Sequence, residues 1–372
     1  MNKSQQTGNP FRSISYIPPI SEIVSVSFKK TSIIRRKSSK KRQTREEIIA
    51  EAERERITIL AFEMTTRLNS IINQFPWIDD IHPFYYELCN LIGNVDKIRK
   101  VLGRLDGISK KIKELEGEQL TKLKQTNHPL EMAKIRRETG GRFASLIKKA
   151  EGDVKYLIRT VKKLKIIPDF NVLLPTIVVA GAPNVGKSSL VREISSGIPE
   201  VGEYPFTTKE VVFGHREYDF MKIQIVDTPG LLDRPIKERS MIERQSIATM
   251  RYISDIIVFM FDISKDAAIS IKEQMNLIDE IEREFPDTPI LRVLNKTDLI
   301  AEEEIMNISR DLDIEFQISL KNKMGINKLI EKLELVTRKI IKEAEKFKQT
   351  FSISISDEFL LVDEDKETDY EI

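Results

Sequence analysis

Gly181-Ala182-Pro183-Asn184-Val185-Gly186-Lys187-Ser188 places two glycines, with four residues between them, directly ahead of a lysine and a serine. That is the spacing of a phosphate-binding loop. An apolar run, Thr176 to Ala180, leads into it, and a helix-like stretch, Ser189 to Ile194, leaves it. Strand, loop and helix in that order separate a phosphate cradle from a glycine turn before an ordinary helix. The glycines let successive backbone N–H groups turn toward phosphate oxygens, and the helix start adds a partial positive charge. In this setting Lys187 reaches the terminal phosphates and the Ser188 hydroxyl holds magnesium. Gly181, Ala182, Pro183, Asn184, Val185, Gly186 and Ser189 complete the cradle.

Four further pieces follow in order along the chain. Tyr204-Pro205-Phe206-Thr207-Thr208 offers threonines to a first switch loop, where a hydroxyl and a carbonyl meet magnesium and the terminal phosphate. Asp227-Thr228-Pro229-Gly230 ends the strand-like run Ile223 to Val226; Asp227 is placed to hold a magnesium-bound water, and the Gly230 N–H to sense the γ-phosphate. Asn295-Lys296-Thr297-Asp298 closes another apolar run, Ile290 to Leu294. The Asp298 carboxylate can accept two hydrogen bonds from guanine's ring N–H and exocyclic amine, groups that adenine lacks. A buried acceptor left unpaired is costly, so such a site discriminates by several powers of ten. Lys296 is suited to lay its stem over the base, and Ile318-Ser319-Leu320-Lys321 to support the base from beneath through Ser319 and Leu320. A lone Asn-Lys-x-Asp is a common chance tetrapeptide. Five motifs in register are not, and together they predict a binder of GTP and GDP.

At 372 residues the chain is long enough for two domains. The single cysteine, Cys89, excludes a disulfide framework and suits a reducing interior; its apolar surroundings read as packing rather than as a thiol nucleophile. No apolar run approaches a membrane span, and the N-terminus lacks the apolar core of a signal peptide, so a soluble, cytoplasmic protein is expected. The formal charge of +2 conceals an asymmetry. Residues 1–170 hold 34 Lys+Arg against 20 Asp+Glu, and the remainder holds 26 against 38. The densest basic stretch includes Arg35, Arg36, Lys37, Lys40, Lys41 and Arg42, with no acid between Glu22 and Glu46. A basic half of this kind usually meets a polyanion, and RNA is the candidate; the alternative is a solvated, disordered run. Nothing in the sequence indicates a homo-oligomer.

The basic half reads as helical. Thr44-Arg45-Glu46-Glu47 has the spacing of a capping box, and Ile57, Leu60, Ala61, Met64, Leu68, Ile71 and Ile72 recur at helical spacing until Pro76. A second stretch is expected from Phe84 to about Glu116, and a third from about Pro129 to Leu164, broken or bent at Gly140-Gly141. Beyond Leu173 apolar strands alternate with amphipathic helices. The fold expected is therefore an α/β P-loop GTPase domain with a mostly parallel, doubly wound sheet, preceded by an all-α antiparallel helical bundle. The bundle takes residues 1–168 and the GTPase domain 169–346. Residues 347–372 form a strand-like segment, Phe351 to Ile355, and an acidic tail. The tail is either a solvated terminus or an internal cover for the basic half.

Phe75-Pro76-x-x-Asp79-Asp80-Ile81-His82-Pro83-Phe84-Tyr85 precedes the phosphate loop, and Asp227-Thr228-Pro229-Gly230-Leu231-Leu232-Asp233-Arg234-Pro235 follows it. With Phe206-Thr207-Thr208-Lys209, these resemble the nucleolar GTP-binding protein 1 family of the Obg group, in its short archaeal form, from about Phe11 to Leu335. Taken alone, the Asp-Asp-Ile-His run reads as a turn into a helix with a capping Asp and a buried aromatic pair. The resemblance implies a GTPase acting in large ribosomal subunit assembly, its helical domain gripping ribosomal RNA of a large-subunit precursor. It also implies magnesium as cofactor and Thr208, rather than Thr207, as the switch ligand. Leu231 occupies the position of the water-orienting glutamine of Ras-type switches, so unassisted hydrolysis is expected to be slow, on the order of 10⁻⁴ s⁻¹. The catalytic set is then Lys187, Thr208, Gly230 and Asn184. Asn184 resembles the asparagine that coordinates potassium in related GTPases; its alternative reading is a turn-stabilising side chain. Ser319-Leu320-Lys321 departs from the family's Ser-Ala-Lys. Two other functions fit the same motifs: an Obg-like GTPase of translation or stress signalling, and a GTP-dependent RNA-binding scaffold that barely hydrolyses.

Overall fold

Thr44 and Glu47 close a reciprocal cap: the Thr44 hydroxyl accepts from the Glu47 N–H at 3.2 Å, and the Glu47 carboxylate accepts from the Thr44 N–H at 2.8 Å. Two orphan donors are satisfied at once, which starts helix α2, Arg45–Gln74. Phe75 ends it in extended backbone, just before Pro76. This computed structural model describes residues 8–32, 44–167, 169–203, 210–218, 221–227, 232 and 239–360. It divides into two units, Met1–Asp169 and Phe170–Ile372. The division falls after Asp169 because that carboxylate is bonded into the first unit, accepting from the Asn9 N–H at 2.6 Å and from Arg12 at 3.2 Å.

The first unit is all helix: α1 (Ile20–Ser32), α2, α3 (Pro83–Gly93), α4 (Val95–Lys124), α5 (Pro129–Lys148) and α6 (Glu151–Leu164). Helix α2 packs against α1, α4 and α5, burying Ile57, Leu60, Ala61, Met64, Leu68 and Ile71. The stretch expected to run from Phe84 to about Glu116 is two helices. Asn94 sits between them at φ 55, a left-handed conformation that asparagine tolerates, and its side chain caps α4 by accepting from the Lys97 N–H at 3.0 Å. Gly140 and Gly141 do not break α5, which continues to Lys148; the interruption comes at Ala150 instead. Glycine lowers helix propensity by about 1 kcal/mol but forces no turn when packing holds the helix. Cys89 is fully buried, and burial pushes its thiol up to about 12, so it is inert packing.

The Asp-Asp-Ile-His-Pro-Phe-Tyr run caps a helix with a histidine, not with an aspartate. The His82 ring nitrogen accepts from the Phe84 N–H at 3.3 Å, Pro83 takes the first helical position, and Asp79 pairs with Arg99 instead. Phe84 and Tyr85 are buried edge to face, with ring centroids 5.0 Å apart.

The second unit is a seven-stranded sheet. Its strands are β1 (Thr176–Gly181), β2 (Glu200–Glu203), β3 (Glu210–Tyr218), β4 (Met221–Asp227), β5 (Ile256–Phe261), β6 (Ile290–Leu294) and β7 (Phe316–Gln317), in the order β2-β3-β4-β1-β5-β6-β7. Strands β2, β4, β1, β5, β6 and β7 run in one direction, and β3 alone runs against its neighbours β2 and β4. Every residue of β1 and of β5 is buried, as a parallel sheet covered on both faces requires. The helices are α7 (Lys187–Ile194), α8 (Met241–Ala248), α9 (Ile271–Glu284), α10 (Glu302–Asp311) and α11 (Ile326–Leu360). The strand expected at Phe351 to Ile355 is a correction: those residues lie within α11. A five-residue alternation is too short to interrupt a helix already propagating from Ile326. The acidic tail beyond Leu360 lies outside the described residues. Among the described residues, no helix is long and apolar enough to cross a membrane.

Burial lowers the pKa of His82 from its ordinary 6.5, and only the neutral ring can accept the cap hydrogen bond. A base whose folded pKa is depressed contributes stability that is present above the unfolded pKa and lost as pH falls through the folded one. Amide-exchange protection at the start of α3 should therefore fall as pH drops below about 6.5. His82→Asn, a cap that does not titrate, should flatten this dependence. An identical pH profile in the variant would remove His82 as the cause.

Candidate functional site

Gly181, the last residue of β1, has φ 135, and a Cβ there would stand 2.4 Å from the Met260 carbonyl oxygen of β5. Only glycine fits where the chain leaves the sheet. Gly186 has φ 108 and opens α7; a Cβ there would stand 2.5 Å from the Asn295 side-chain nitrogen. Between them, Ala182 and Val185 are buried, Pro183 is half-buried and Asn184 is exposed at φ 61. Lys187 is 7% exposed, and its ammonium donates back across the loop to the Gly181 and Ala182 carbonyls at 2.8 and 2.7 Å. The Ser188 hydroxyl donates to the Asp227 carboxylate, which is fully buried at the end of β4. Ser189 is exposed.

At the end of β6, Asn295 is 3% exposed. Its side-chain N–H donates to the Val185 carbonyl at 2.8 Å, and its side-chain oxygen accepts from the Leu320 N–H at 3.3 Å. Lys296 is left-handed at φ 60 and forms an ion pair with Asp262 at 2.5 Å. One Asp298 oxygen accepts from the Ser319 hydroxyl at 2.6 Å; that same hydroxyl oxygen accepts from the Asn322 N–H at 3.1 Å. Thr297 binds the Ile318 carbonyl through its hydroxyl at 3.0 Å. The end of β4 and the loops after β1, β6 and β7 thus meet at the carboxyl ends of the parallel strands, where ligands of open α/β sheets bind.

Thr207, Thr208, Gly230 and Leu231 lie outside the described residues, as do Arg35, Arg36, Lys37, Lys40, Lys41 and Arg42. Sequence reasoning missed two residues that support the base loop from outside it. Asp262, 2% exposed, holds Lys296, and the fully buried Gln274 of α9 brackets the Asp262 backbone, donating to its carbonyl at 2.6 Å and accepting from its N–H at 3.0 Å. A signal for Asp262 did exist: a carboxylate directly after the all-apolar run Ile256–Phe261. Nothing in the sequence distinguishes Gln274.

Strand order and loop placement define a P-loop GTPase domain behind an N-terminal helical domain. Residues 11–171 match the NOG1 N-terminal helical domain, and residues 176–296 match the family described as 50S ribosome-binding GTPase. The chain is 34% identical over 253 residues to uncharacterized protein MJ1408 of Methanocaldococcus jannaschii, covering 68% of this chain and 71% of that one. It is 32% identical over 239 residues to nucleolar GTP-binding protein 1 of Drosophila melanogaster, covering 64% of this chain and 37% of that protein. With nucleolar GTP-binding protein 1 of Encephalitozoon cuniculi it is 34% identical, over 64% of this chain and 45% of that one. The chain belongs to the nucleolar GTP-binding protein 1 family, and its match spans less than half of those two curated relatives.

Gly186 tests the coupling between the loops. Gly186→Ala adds a left-handed strain of roughly 1–2 kcal/mol and a clash with Asn295. Titration with fluorescent GDP should show affinity at least tenfold weaker, since tenfold corresponds to about 1.4 kcal/mol. Unchanged affinity would mean that the two loops do not act as one site.

Proposed function

We propose that this chain is a GTP-binding and GTP-hydrolysing switch acting in assembly of the large ribosomal subunit, its helical unit binding ribosomal RNA while nucleotide state governs release. The observation that carries the nucleotide reading is the hydrogen bond from Asn295 to the Val185 carbonyl. It makes the phosphate loop and the base loop a single receptor. Asp298, with one oxygen engaged by Ser319, accepts from guanine; Lys296 covers the base; Lys187 meets the β- and γ-phosphates. The Ser188 hydroxyl and the Asp227 carboxylate are hard oxygen donors and fit magnesium. When bound, that ion neutralises charge on the phosphate oxygens. Thr208 and Gly230 complete the set as the switch ligand and the γ-phosphate sensor. The RNA reading is supported by the charge surplus of residues 1–170, with 34 Lys+Arg against 20 Asp+Glu, and by the family description attached to residues 176–296.

Replacing Asp298 with Asn presents a donor to one of guanine's own donors. GTP affinity should drop by more than tenfold while affinity for xanthosine triphosphate appears. A variant that keeps full GTP affinity and gains none for XTP would overturn the assignment of Asp298.

Leu231 offers no polar group to the attacking water, so the missing assistance comes from outside the side-chain set. Asn184, exposed at the loop's rim, is the proposed potassium ligand. Turnover should be higher in potassium than in sodium at matched ionic strength, with Asn184→Ala erasing the difference. Equal rates in the two salts would leave Asn184 as a turn residue. Turnover should also rise when purified large-subunit particles are added. An unchanged rate with particles present would favour a nucleotide-dependent scaffold over a switch.

A further inference from the structure

Helices α4 and α6 are tied together by two contacts. Arg104 of α4 donates to both oxygens of Asp153 in α6, at 2.7 and 2.6 Å. Two turns earlier in α4, the Lys97 ammonium stands 4.4 Å from the centre of the Tyr156 ring, whose hydroxyl donates to the Gly93 carbonyl. Residue numbers fall along α4 as they rise along α6, so the two helices are antiparallel. The contacts leave a surface furrow between two helix axes about 8–10 Å apart. One bank is the α4 row Lys97, Lys100 and Arg104, spaced i, i+3, i+7. The other is the α6 row Gly152, Tyr156, Arg159 and Lys163, spaced i, i+4, i+7, i+11.

Both banks carry cations that nothing on the two helices answers. The acids of α6 and of the first three turns of α4 are already matched: Asp153 by Arg104, Glu151 by Lys155 at 2.7 Å, and Asp96 by Arg99 at 3.3 Å. Lys100, Arg159 and Lys163 are exposed, and among the described residues none of the three is in an ion pair. A cation over a ring keeps its charge, so Lys97 adds to the same field. Gly152 to Lys163 spans roughly 16 Å along the helix, longer than a single phosphate and suited to a run of them. At Gly152 no atom lies within 4 Å of where a Cβ would be, so a ligand backbone can approach the helix closely.

We propose that this furrow seats the sugar–phosphate backbone of RNA, with Lys100, Arg159 and Lys163 contacting phosphates from its two banks. This rests on the RNA-binding reading above and names a site for it. Among the described residues, no large apolar side chain is exposed on α4 or α6. A protein partner binds through buried apolar or aromatic anchors, and a helix lying on a membrane needs an exposed apolar face. A face that offers charge alone suits a ligand held by its charge alone. Contacts of this kind place RNA without reading its bases.

The test uses the full chain, purified large-subunit ribosomal RNA and filter binding across a salt series. Replacing Lys100, Arg159 and Lys163 together with Gln should weaken binding at least tenfold and make the salt slope shallower by roughly two. Glutamine is about as good a helix former as lysine or arginine, so the helices persist. Gly152→Gln keeps every charge and should still weaken binding at least threefold, by filling the open surface of α6. The control replaces Lys122, Lys124 and Lys134, exposed cations at the far end of α4 and on α5, with Gln; it should bind within twofold of wild type. Equal losses in the two triple variants would mean that only net charge matters, and would overturn the site. If the furrow variants bind like wild type while neutralising Arg35, Arg36, Lys37, Lys40, Lys41 and Arg42 weakens binding, this site is wrong and the broader reading stands. If wild type does not retain the RNA, both fail. Polyglutamate that displaces the RNA as readily as poly(U) does, at equal charge, would identify a general anion face and overturn the proposal.

Discussion

One buried amide holds the nucleotide unit's loops together. Asn295 reaches from the end of β6 to the carbonyl of Val185 and takes the backbone N–H of Leu320 on its oxygen. Three loops that are far apart in sequence thereby share one side chain that is 3% exposed. Inside the protein such a network is costly to leave half-made, because an unpaired polar group there loses its water without replacement. The glycine at 186 follows from it. A Cβ at that position would occupy the space of the Asn295 amide. The phosphate loop's second glycine thus answers to the base loop as much as to phosphate.

That constraint bears on what could be read in the sequence. Gly181, Gly186, Lys187 and Ser188 were legible because phosphate chemistry dictates both residue type and spacing. The same holds for Asn295 and Asp298, and the sheet around them followed from apolar runs alternating with helices. Asp262 was not, since its role is to hold Lys296 through a contact 34 residues away in the chain. Gln274 was less legible still, because one glutamine on an amphipathic helix looks like any other. In the helical unit, periodicity located the helices but not their ends. A left-handed Asn94 splits one stretch, whereas paired glycines leave another whole. Breaks are set by tertiary packing, which the local pattern does not carry.

The two units differ in what their charges do. In the nucleotide unit the buried Asp262 is matched by Lys296, and the buried Asp227 accepts a hydrogen bond from the neutral Ser188 hydroxyl. In the helical unit the buried carboxylate of Glu53 pairs with two guanidiniums, those of Arg56 and Arg136. Matched charges build a rigid receptor for one small molecule. The surplus of Lys+Arg over Asp+Glu in residues 1–170 is what the proposed binding of a long polyanion rests on, and such binding falls steeply with salt.

Within the base loop, three side chains divide the work. In the proposed reading Asp298 carries the hydrogen-bonding discrimination, while Asn295 ties that loop to the Val185 carbonyl of the phosphate loop. In the same reading Lys296 contributes through its stem, which makes its ammonium a burden to be placed rather than a reader of the base. The ion pair with Asp262, itself 2% exposed, settles that placement. Removing either partner strands a buried charge, which is more damaging than the net worth of the pair. Loss of Lys296 therefore perturbs the loop well beyond the missing stacking surface, because Asp262 would be left charged, desolvated and bracketed by Gln274 in a position it cannot leave.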